Sequence, residues 1–190
     1  MIKKILKWSV IVLAAGFVVI QLVRPARTNP ATEPSKTIQS QVKVPAEVDA
    51  ILKRACNDCH SNETQWPWYS QIAPISWLVV HDVNEGREHL NFSEWGNYDA
   101  KKADHKLDEI EEEVEHGGMP LPIYVSMHPE AKLSDEDRRM IHDWAKAERN
   151  RLKGDKEEAA DKETETDEKG KDDEHSGKGR GRGRGGRSGD

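Results

Sequence analysis

The sequence predicts a small all-α domain whose short helices wrap around one cofactor and are joined by long, Pro-containing loops. Three observations carry this reading. Apolar residues recur at helical spacing in four separate segments, and no stretch shows the sustained alternation of a strand. Both cysteines of the 190-residue chain fall in a single run, Cys56-Asn57-Asp58-Cys59-His60.

Residues 1–27 read as an N-terminal membrane anchor. Lys3, Lys4 and Lys7 precede a nearly unbroken apolar run from Trp8 to Ile20, which Leu22 and Val23 extend toward the roughly 20 residues of a transmembrane helix. The positive-inside rule keeps these lysines cytoplasmic and exports the rest, an asymmetry that Arg24 and Arg27 weaken without reversing. A cleaved signal peptide starts in the same way but ends in a small-x-small site, for which Arg24-Pro25-Ala26-Arg27 is a poor match. Both readings put the domain in the periplasm or at the cell exterior. The anchor reading makes it a single-pass protein of the inner (cytoplasmic) membrane.

Residues 28–43, rich in Thr, Pro, Ser and Gln, read as a flexible linker. The domain proper is expected over residues 44–150, enough for one small core to which a buried cofactor adds apolar contact. Its first helix opens at Pro45 and places Val44, Val48, Ile51, Leu52 and Ala55 on one face, leading straight into Cys56. A second runs from Pro74 through Leu78, Val79 and Val83 to Gly86. A third carries Leu107, Ile110 and Val114 and stops at His116-Gly117-Gly118. A fourth opens at Ser134-Asp135-Glu136-Asp137, a signature resembling a capping box, and presents Met140, Ile141, Trp144 and Ala147. Residues 151–190 are charged and end in an Arg-Gly-rich run; with Leu152 as their one large apolar residue, they read as a disordered tail.

Charge is unevenly spread behind the formal net of -6. Residues 28–150 carry 13 Lys and Arg against 23 Asp and Glu, a net of -10, whereas the tail carries 11 against 12. An acidic folded part argues against nucleic acid as its partner and suits a basic protein surface.

Cys56 to His60 match C-x-x-C-H, the attachment sequence for c-type haem. The two thiols lie about one helical turn apart, able to add to the two vinyl groups of one porphyrin, and His60 follows as proximal iron ligand. A structural zinc site wants four protein ligands, and no further cysteine exists to complete one. A thioredoxin-like pair needs a strand-to-helix setting that the flanking residues do not offer, and a disulfide across so short a loop would stabilise little.

For the sixth iron position Met119 is the leading candidate, because it follows Gly117-Gly118 and precedes Pro120 in a constrained loop. His128 lies in the same loop and is the alternative, while His81, His89, His105 and His116 lie on or beside helices. Met140 reads as core. Thioether ligation raises the reduction potential, whereas an open position admits gas binding or peroxide chemistry. Trp66, Trp68 and Tyr69, in the cluster Trp66-Pro67-Trp68-Tyr69, read as core packing, with Trp66, Trp68 or Tyr69 also a donor to haem propionates.

Together these residues resemble the small haem-binding domain family of membrane-anchored bacterial proteins, relatives in style of the single-haem cytochromes c. The resemblance rests on Cys56 to Asn62, Thr64, Trp66 to Tyr69, Pro74 to Leu78 and Phe92 to Trp95. It continues through Gly118-Met119-Pro120, Tyr124, His128 to Ser134 and Trp144. It implies one covalent haem c held by Cys56, Cys59 and His60, with Met119 matching the family's Met-Pro and His128 another recurring position. It covers residues 44–150 and the anchor, leaves out the Arg-Gly tail, and implies no enzyme activity. The function expected is one-electron transfer to an unidentified redox partner protein. The alternatives are a five-coordinate haem with peroxidase-like or gas-binding activity, and a haem-based redox sensor.

Overall fold

The computed structural model describes residues 1–175, with side chains through residue 155, and contains no strand among them. The chain divides into two compact units, Met1–Arg149 and Asn150–Asp190. Among the described residues eight α-helices follow one another: α1 Ile2–Ile20, α2 Ile38–Gln41, α3 Ala46–Ala55, α4 Asn57–His60, α5 Ile75–His89, α6 Ala100–His116, α7 Pro122–Met127 and α8 Asp135–His175. Short 3₁₀ turns at Pro34–Lys36, Trp68–Gln71, Phe92–Asn97 and Pro129–Ala131 connect them.

The core of the first unit is made from one face each of α3, α6 and the start of α8. α3 buries Val48, Ile51, Leu52 and Ala55, and α6 buries Ala103, Leu107, Ile110 and Val114. The start of α8 adds Ile141, Trp144 and Ala145. The helix ends follow their local chemistry. Asp99 Oδ1 accepts from Lys102 N at 2.7 Å to start α6, and Gly117, at φ +72°, closes it in the left-handed conformation that glycine adopts without steric cost. Ser134 and Asp137 bond reciprocally ahead of α8, Ser134 N to Asp137 Oδ2 at 2.8 Å and Asp137 N to Ser134 Oγ at 3.1 Å. Arg149 ties α8 back to α6 through Asp104 at 3.3 Å, Glu111 at 3.0 Å and Asp108.

Four sequence expectations change. The second helix does not end at Gly86 but runs on to His89, for a reason that belongs to the site below. Residues 28–43 are not a free linker: Ile38 is fully buried and Val42 nearly so. Arg87 binds this segment to the domain, Nη1 donating to Thr28 O at 2.8 Å and Nη2 to Asn29 Oδ1 at 2.9 Å. The supposed tail is helical as far as His175, its start supported by the Arg151–Asp155 pair at 2.7 Å one turn apart. The Arg-Gly run, within residues 176–190, lies outside the described residues. Finally, no helix among the described residues is long and apolar enough to cross a membrane. The expected transmembrane segment forms as α1, but Lys3, Lys4 and Lys7 occupy the first two of its turns and shorten the apolar part.

Candidate functional site

Cys56 closes α3 and opens α4, a single turn in which Cys59 N and His60 N both donate to Cys56 O, at 3.1 and 2.9 Å. That turn puts both thiols and the imidazole on the wall of one cavity of about 440 Å³. Leu52 and Ala55 from α3, Ile110 and Val114 from α6, and Ile141 from α8 supply much of its apolar lining, and Met119 and Leu121 line it from the loop before α7. Cys56 and Cys59 are both free thiols. Burial pushes the Cys56 thiol up to about 12 and the Cys59 thiol up to about 11, so both are held as S–H.

The orientation of His60 comes from α5. Its Nδ1 lies 2.9 Å from Gly86 O and 3.1 Å from Leu90 O. Carbonyl oxygens only accept, so the Nδ1 atom carries the proton and Nε2 is the nitrogen with a free lone pair. Burial lowers the pKa of the imidazole and keeps it neutral, the form that ligates iron. Phe92 stands beside the ring, at 6.3 Å between centroids. Gly86 has no side chain because a Cβ there would meet Cys59 O at 2.6 Å. A glycine in mid-helix therefore marks the close approach of α5 to α4, where the sequence alone suggested a stop.

Asp58, between the two cysteines, fixes the turn from the other side. Its Oδ2 accepts from Tyr124 Oη at 2.8 Å, its Oδ1 from Gln65 N at 3.0 Å, and its carbonyl from Thr64 Oγ1 at 2.6 Å. Burial, with the Asp58 carboxylate next, raises the Tyr124 phenol and keeps it protonated as the donor. Arg87 completes the frame, Nε donating to Ser61 O at 2.7 Å and Nη2 to Thr64 Oγ1 at 2.7 Å. Sequence reasoning gave Gly86, Asp58 and Arg87 no role at the site. Only Asp58 carried a signal, its place inside the motif.

The other expected site residues lie elsewhere. His128 does not line the cavity: its Nε2 is 2.7 Å from Tyr69 Oη, its Nδ1 is 3.2 Å from Glu130 Oε1, and its ring stacks on Tyr124 at 4.4 Å. Both ring nitrogens are thus engaged. Trp66 donates its indole N–H to Asn29 Oδ1 at 3.1 Å, and Trp68 is 69 % exposed against the edge of Tyr69. None of Trp66, Trp68 and Tyr69 is among the residues that line the cavity. Asp82, Glu85, Glu109 and Glu113 stand among the lining residues with His89, and no Lys or Arg does.

The donor set fits haem: two protonated thiols and a neutral imidazole with its lone pair free at one wall, a thioether in the lining, and apolar surface between. The chain matches the haem-binding domain family over residues 15–147. It is also similar to the cytochrome c peroxidase Ccp of Escherichia coli (strain K12), with 25 % identity over 122 residues, covering 60 % of this chain. The chain spans only 26 % of the length of that relative. No solved structure matches it.

Proposed function

Because the chain belongs to the haem-binding domain family, we propose that it is a membrane-held, single-haem electron carrier with a covalently attached haem c. The observation that carries the reading is the convergence of Cys56, Cys59, His60 and Met119 on one cavity. Cys56 and Cys59 would hold the porphyrin through thioether bonds to its two vinyl groups, each S–H hydrogen passing to the other vinyl carbon. His60 Nε2 would be one iron ligand, with its tautomer set by Gly86 O and Leu90 O. Met119, in the loop before α7, would be the other. Iron so held would supply a one-electron couple, and thioether ligation raises its potential.

The location is part of the proposal. The apolar residues of α1 are exposed from Ile2 to Val19, Ile5 at 66 % and Leu13 at 72 %, a state that suits hydrocarbon and not water. Lys3, Lys4 and Lys7 carry aliphatic stems that reach headgroups, so the residues that shorten the apolar run also orient it. The domain then faces the periplasm or cell exterior, and its net charge of -10 favours a redox partner with a basic surface.

The similarity to a cytochrome c peroxidase favours a second reading, peroxide reduction at an open iron position. Two measurements test the first. Intact mass after haem extraction should show a polypeptide that retains one haem, and a potentiometric titration should fit one electron. A polypeptide without added mass, made in cells with functional attachment machinery, would contradict covalent binding. Sustained peroxide turnover would favour the second reading.

A further inference from the structure

The end of α1 is fastened to the domain. The Gln21 side chain makes a reciprocal pair with the backbone of Ala73, Nε2 donating to Ala73 O at 3.1 Å and Oε1 accepting from Ala73 N at 2.9 Å. Trp77 Nε1 donates to Val23 O at 2.8 Å, and Arg27 Nη1 to Ser70 O at 3.1 Å. Arg87 then holds Thr28 and Asn29, so the chain between α1 and the domain has no slack over its first residues.

Around this fastening the domain exposes large apolar side chains that it has no internal reason to expose. Ile72, Ile75, Trp77 and Leu78 lie on the segment that Gln21 and Val23 grip, and Trp68 lies on the 3₁₀ turn packed against α5. Ile75 is 48 % exposed and Leu78 45 %, while Ser76, Val80 and Val83 form the buried face of the same helix. Arg24, exposed at the same place, donates Nε to Gln21 O at 3.1 Å.

We propose that this face, Trp68, Ile72, Ile75, Trp77 and Leu78 around the end of α1, rests on the lipid bilayer surface and holds the haem domain against the membrane. The inference rests on the membrane location proposed above. If α1 lies in hydrocarbon, whatever is hydrogen-bonded to its last residues lies at the hydrocarbon boundary. Indole rings and aliphatic side chains are the groups that gain there, and Arg24 meets anionic headgroups. The domain then does not sweep a volume on a leash but sits at a fixed height, with its cavity presented from the far end of α5, where Gly86 and, just past the helix, Leu90 hold His60.

The test uses the full haem-loaded chain in phosphatidylcholine–phosphatidylglycerol vesicles, floated on a density gradient and then footprinted with hydroxyl radicals. Trp68, 69 % exposed in the protein, should be oxidised several-fold more slowly than free N-acetyltryptophanamide, approaching buried Trp144, while exposed His105 on α6 stays fully reactive. Ile75→Ser combined with Leu78→Ser should keep flotation and restore Trp68 oxidation. A chain that does not float would contradict the membrane location and this inference with it. A chain that floats while Trp68 reacts at the free rate would overturn the docking alone, leaving the face open to a protein.

Discussion

His60 Nδ1 donates to Gly86 O across 2.9 Å, and this one bond joins the Cys56–His60 turn to the helix that orients it. The same glycine leaves room for Cys59 O, so one residue supplies both the acceptor and the space.

Gly86→Ala is therefore expected to be costly although alanine is the better helix former. The added Cβ would meet backbone at 2.6 Å, and overpacking of this kind costs about 1–3 kcal/mol. Chemical denaturation should show that loss, and displacement of His60 should shift the haem reduction potential. A gain in stability with an unmoved potential would mean that α5 does not press on the motif.

Met119 and His128 separate cleanly. Met119→Ala should abolish the far-red sulfur-to-iron band, lower the potential and open the iron to carbon monoxide. His128→Ala should leave all three unchanged, since its ring nitrogens already face Tyr69 and Glu130. The opposite pattern would make His128 the ligand.

Arg87→Lys keeps the charge but loses the planar fork that serves Ser61, Thr28, Asn29 and Thr64 together. A loss of about 1–2 kcal/mol is expected, with faster amide exchange over residues 28–37. Unchanged exchange there would mean that the segment is not held by this residue.

Acid should weaken the start of α8. Burial alone would raise the Asp137 carboxyl, but the Ser134 N–H and the Arg54 guanidinium, 2.6 Å away, outweigh it and hold its pKa below the ordinary carboxylate value. A depressed carboxyl adds stability above the unfolded pKa and loses it as pH falls through the lower folded value. Asp137→Asn should cost about 1 kcal/mol near neutral pH, with the difference from wild type shrinking below about pH 4. A difference independent of pH would assign the effect to packing.

The parts of this protein visible in sequence are those set by neighbours along the chain. The spacing of Cys56, Cys59 and His60 is local, and so are the buried faces of α3 and α6 and the caps at Gly117 and Ser134. What stayed hidden depends on partners far apart in sequence. Gly86 resembles a helix stop until Cys59 is brought against it, and Arg87 resembles a surface charge until Thr28 and Ser61 converge on it. Trp66, Trp68 and Tyr69 follow His60 closely in sequence, yet Trp66 bonds to Asn29, Tyr69 to His128, and none of the three lines the cavity. The segment from Thr28 to Lys43 hid two core residues, Ile38 and Val42, in a composition that otherwise reads as linker.

The most direct test of a carrier held between His60 and Met119 is the absorption spectrum of the purified ferric and ferrous protein, with and without carbon monoxide. A low-spin ferric spectrum with the far-red sulfur band, and a ferrous spectrum that carbon monoxide does not promptly change, are the predicted results. A high-spin ferric spectrum with immediate carbon monoxide binding would contradict six-coordination and point to an open iron site.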